Sequence, residues 1–82
     1  MTDQQAALHD GFNSGSTNCD DFEGTTRAEA VAYVGAIPDS DFLPHVESAR
    51  FIPDYRAGMI QGLVLVAKFN ARLLSGLLEA NS

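Results

Sequence analysis

The chain has 82 residues, 45% of them hydrophobic and 20% charged, with a formal net charge of −6, no Trp and a single Cys. That length makes one domain, near the lower limit of independent folding, and the composition excludes a wholly disordered chain. One thiol, Cys19, makes no internal disulfide and no C-x-x-C spacing is present for zinc, so a reducing, cytoplasmic setting is expected.

Taken in order, Thr2-Asp3-Gln4-Gln5 fits a capping box, in which hydroxyl and Gln side chain satisfy each other's free backbone amides. A short first helix over 3–10 follows, with Gly11 as its natural stop. The first ten residues carry no basic region and no apolar run, so no signal peptide is expected. Residues 11–24 are rich in Gly, Asn, Ser and Thr, with Asp20, Asp21 and Glu23 near the end. Such composition predicts an irregular acidic and polar loop, pinned by Phe12 and Phe22.

Thr26-Arg27-Ala28-Glu29 is a second capping box, and Ala28, Val31 and Ala32 lie at helical spacing behind it, with Tyr33 and Val34 broadening the face. This second helix should fail between Gly35 and Pro38, because the residue before a proline resists helical angles. A short third helix is expected over 41–50, with Pro44 tolerated in its first turn and Phe42, Leu43, Val46 and Phe51 facing inward.

The fourth helix, over 53–80, dominates the chain. Asp54 near its start and Arg72 toward its end suit the helix dipole. One stripe holds Met59, Leu63, Val66, Leu73 and Leu77, interrupted by Asn70; an adjacent one holds Ile60, Val64, Ala67, Ala71, Leu74 and Leu78. The polar stripe is thin: Gln61, Lys68, Arg72, Ser75 and Glu79, with Leu65 among them. An ordinary surface helix keeps an apolar face roughly 100° wide, and this one has about twice that. Its length, about 40 Å, also exceeds the roughly 30 Å span of a compact domain with a radius of gyration near 12 Å. The expected fold is therefore a single all-α domain over 1–82, three short helices and one long one that mediates oligomerisation, with Met59, Leu63, Val66, Asn70, Leu73 and Leu77 at the interface. The most apolar window, Ala57 to Ala67, contains Gln61 and is too short to span a membrane, so no membrane association is expected.

Two smaller features qualify that helix. Gly58-x-x-x-Gly62 puts two glycines on one face, inviting close approach of another helix or a simple kink. Asn70 either sets the register of paired helices or points to a loop or water.

The charge is uneven. Nine acidic residues face Arg27 alone before Ser48, whereas Asp54 and Glu79 face Arg50, Arg56, Lys68 and Arg72 after it. An acidic shell for solubility or a surface for a basic partner would both read this way. Direct nucleic-acid binding is disfavoured, since no basic, aromatic-studded stretch exists to neutralise phosphates. His9, Cys19 and His45 lack a metal-ligand pattern, and Asp20, Asp21 and Glu23 lack the spacing of a calcium loop. No cofactor is implied. With no nucleophile elbow or phosphate loop, catalysis is not expected.

No family resemblance is specific enough to name. The reading is a small acidic regulatory binding protein, by analogy with inhibitors encoded by phages and mobile elements. Asp20, Asp21, Glu23, Asp39 and Asp41 would meet a basic surface on a protein partner. The alternatives are a structural small subunit of a larger assembly, or an oligomer that holds an anionic ligand such as a nucleotide near Arg50, Tyr55 and Arg56.

Overall fold

Three α-helices carry the fold: α1 (Asp3–Thr17), α2 (Arg27–Gly35) and α3 (Ile52–Ala80), with three single 3-10 turns between α2 and α3. The computed structural model describes residues 2–19 and 21–80, the side chains of 78–80 excepted. No strand occurs among the described residues, as an all-α chain requires.

The first capping box forms as expected. Thr2 accepts from the Gln5 amide at 3.1 Å, and Gln5 Oε1 accepts from the Thr2 amide at 2.9 Å. The helix it starts does not stop at Gly11. It runs through Gly11 and Gly15 to Thr17, so the irregular segment expected over 11–24 is confined to residues after α1. The reason is tertiary. Gly11 and Gly15 face α3, where a Cβ on either would fall closer than 3.0 Å to the carbonyls of Tyr55 and Met59. Gly58 and Gly62 return the contact, against the backbone of Leu8, Phe12 and Ser16. Two glycine pairs at i, i+4 thus interlock and let two helix backbones touch. Packing at this seam offsets the roughly 1 kcal/mol that each glycine costs inside a helix. Residue numbers rise together along the contact, so α1 runs parallel to α3. Gln4 Nε2, donating to Asp54 Oδ1 at 3.0 Å, links the two helix starts.

Helix α2 begins where expected, with Thr26 accepting from the Glu29 amide at 3.2 Å. The Glu29 carboxylate reaches past the cap residue to the Thr25 amide and also accepts from both threonine hydroxyls. These bonds hold its pKa below the ordinary value, first through the Thr25 amide. The buried face of α2 differs from the sequence reading. Ala30 and Val34 are buried, whereas Ala28, Val31 and Ala32 are exposed. A small side chain at Ala30 lets α2 settle onto α3, and Phe22 covers the flank.

No continuous third helix forms over 41–50. Single turns occur at Asp39–Asp41, Leu43–His45 and Ala49–Phe51, separated by extended backbone at Val46 and Ser48. Pro44 has no N–H to give a longer helix. The turns insert Phe42 into the core, edge-on to Tyr55 at 5.5 Å, and leave Leu43 on the surface rather than inside.

Helix α3 supplies the core axis. Ile52, Tyr55, Met59, Leu63 and Ala67 are buried, and the last four lie at strict four-residue spacing under α1 and α2. Beyond Asn70 the helix projects. The molecule measures 51 × 25 × 17 Å, with a radius of gyration of 14.3 Å. That exceeds the ~12 Å of a compact domain this size because 29 helical residues extend about 43 Å.

Candidate interaction surface

On the projecting half of α3, Leu65, Phe69, Leu73 and Leu77 form one ridge at four-residue intervals, with Leu74 beside it. These five side chains are between 49% and 62% exposed. The core stripe of α3 lies elsewhere on the helix, so the ridge belongs to no internal contact of that stripe. At its root lies a cleft of about 490 Å³, walled by Leu65, Val66 and Phe69 of α3, by Thr17 of α1, and by Cys19 and Phe22 of the connecting loop.

That loop is tied down from three sides. Asn70 Nδ2 donates to the carbonyls of Gly24 at 3.0 Å and Phe22 at 3.4 Å. The Phe22 ring lies edge-on to Tyr33 at 5.3 Å. Tyr33 donates its hydroxyl to Asp21 Oδ1 at 2.7 Å. The hydrogen bond to Asp21, with burial second, pushes the Tyr33 phenol well above its ordinary value.

The expected acidic surface is divided. Asp20 lies outside the described residues. Asp21 is held by Tyr33, and Asp39 pairs with Arg56 at 2.6 Å. Glu23 and Asp41 stand exposed. Among the described residues, Arg56–Asp39 is the one ion pair, and Asp3, Asp10 and Glu47 stand exposed as Glu23 and Asp41 do.

The expected interface stripe is divided too. Met59 and Leu63 are buried in the chain's own core, and Asn70 spends its amide on the loop, which removes them from a surface seam. Val66 is half-buried beside the cleft, while Leu73 and Leu77 are exposed. Leu78 and Glu79 of the sequence stripes have side chains outside those described. Sequence reasoning missed Phe69 and placed Leu65 on the polar side. The signal that would have found both is the four-residue recurrence 65, 69, 73, 77.

Nor do Arg50, Tyr55 and Arg56 assemble an open anion site. Arg56 donates to the carbonyl of Val34 at 2.6 Å, which also accepts from the Ile37 amide, and to the carbonyl of Ile37 at 2.7 Å, just past the end of α2. Its guanidinium also lies over the Phe42 ring at 4.4 Å. Tyr55 is buried, with His45 stacked on it at 5.8 Å, and Arg50 lies over Phe51 at 4.6 Å. Among the described residues no three His, Cys, Asp or Glu side chains come together in a way that could hold a metal.

The stretch Ala49–Leu77 is long enough to cross a membrane and holds an 18-residue window apolar enough to do so by composition, with a mean hydropathy of 1.2. Of that window 28% is buried, through residues such as Met59, Leu63 and Ala67, and the rest is at least partly exposed. Lys68 and Arg72 flank the outward part. Comparison with protein-family models, with curated proteins and with solved structures gave no match.

Proposed function

We propose that this chain is a small regulatory binding protein that acts through protein–protein contact rather than catalysis. The observation that carries this reading is the ridge of Leu65, Phe69, Leu73 and Leu77. Large apolar side chains in a row, on a helix that outruns its own domain, favour burial against another protein surface. Each Å² so covered contributes roughly 25 cal/mol. The acidic front half supplies the second element. Its carboxylates, largely without basic neighbours, would steer the chain to a partner with a basic surface and raise the association rate more than the affinity. Occupying such a surface is how a protein this small would regulate a larger one.

The test uses a partner recovered in stoichiometric amount from the native host, then purified and assayed against this chain alone. Asp41→Asn with Glu47→Gln should slow association and flatten its dependence on salt. An association rate and salt response equal to the unaltered chain's would remove the acidic front from the reading.

A further inference from the structure

We infer that a second copy of this chain covers the ridge of α3 in an antiparallel twofold pairing, its Leu73 and Leu77 entering the cleft at the ridge's root. The inference rests on the reading of α3 as a contact element and names its occupant; the acidic front then remains outward for the basic partner.

Placement along the helix is the first support. The rest of the chain reaches along α3 as far as Asn70, which holds the loop carbonyls of Phe22 and Gly24. Leu73, Leu74 and Leu77 lie beyond it. The four ridge residues are centred on residue 71. Antiparallel pairing about that centre sets Leu65 opposite the second copy's Leu77, and Phe69 opposite its Leu73. One body then covers α3 before the centre and the other lies past it, so the two do not compete for space. A parallel pairing would bring both bodies to the same level.

Shape gives the second support. The cleft lies at the level of Leu65 to Asn70, which is the level the second copy's Leu73 and Leu77 would occupy. One chain therefore carries both the projecting residues and the hollow that receives them, as a self-complementary twofold interface demands. Five large side chains about half exposed offer roughly 500 Å² per copy, and their full coverage in a pair would reach about 1,000 Å², the lower bound for a specific interface.

Sedimentation velocity on the full chain, from low to high micromolar, tests this. A concentration-dependent shift to the mass of two chains is expected. Leu73→Asp should give a single-chain species with unchanged helical circular dichroism, since that side chain is exposed in one copy. Leu77→Asp should do the same, whereas Val31→Asp, at an exposed position of α2 away from the ridge, should leave the dimer intact. A single-chain mass at every concentration, an undiminished Leu73→Asp or Leu77→Asp dimer, or a dimer lost on Val31→Asp would each overturn the inference. A single chain that cosediments with anionic phospholipid vesicles through Leu73 would also overturn it, assigning the ridge to a lipid surface. A dimer that ignores every basic partner would leave the inference standing and remove the proposed function, and a monomer that binds one would do the reverse.

Discussion

Asn70 donates its side-chain amide to the carbonyl of Gly24, a contact that spans 46 positions of sequence and fastens the α1–α2 connection to the point where α3 leaves the body. The same amide reaches Phe22, whose ring closes one end of the cleft. A polar residue on an otherwise apolar side of α3 is thereby satisfied within one chain. Asn70→Leu keeps the branched shape but leaves two partly buried carbonyls without a donor. Stability should fall by about 1–3 kcal/mol, measured by urea denaturation, with faster amide exchange at residues 22–24. Equal exchange there in both proteins would show that the loop holds itself in place.

The glycine seam gives a paired expectation. Gly62→Ala would set a methyl against the Phe12 carbonyl at 2.5 Å and the Ser16 amide at 2.7 Å, forcing α1 away from α3. Overpacking of this kind costs about 1–3 kcal/mol. Gly35 has open space where its Cβ would go and an ordinary backbone, so Gly35→Ala should stabilise by about 0.4–1 kcal/mol. Thermal melts of the two variants should move in opposite directions. Movement in the same direction would mean that helix propensity, not close approach, governs these glycines.

Tyr33 makes stability depend on alkaline pH. Its phenol is raised from an ordinary value of 10.0 by the bond to Asp21. The folded chain holds this proton more tightly than the unfolded chain does. The contribution is therefore complete below the unfolded value and is lost as pH rises through the folded one. Ultraviolet titration should find the Tyr33 phenolate appearing later in the folded chain than in the unfolded one. Tyr33→Phe should remove that alkaline loss and cost about 0.5–1.5 kcal/mol near neutrality. Early ionisation of Tyr33 would show that the bond to Asp21 is not kept in solution.

Local chemistry along the chain settled the starts of α1 and α2, the length of α3 and the excess of apolar residues around it, but not the helix expected over 41–50. Thr2 and Thr26 cap because a hydroxyl three residues ahead of an acceptor side chain meets free amides regardless of the distant fold. What the side chains of α3 turn toward was decided only by packing. Met59 and Leu73 are indistinguishable in a periodicity argument, yet one is buried beneath α1 and α2 and the other lies beyond their reach. Gly11 reads as a stop in isolation and continues a helix here, because the parallel approach of α3 stabilises the helical backbone at a position with low intrinsic preference. Arg56 reads as a free cation and instead closes the end of α2, since the acceptors it serves are 19 and 22 positions away in sequence. Propensity acts between neighbours in sequence. Burial and hydrogen-bond satisfaction act between neighbours in space, and in so small a chain those neighbours are chosen by which helix faces leave room for two backbones to touch.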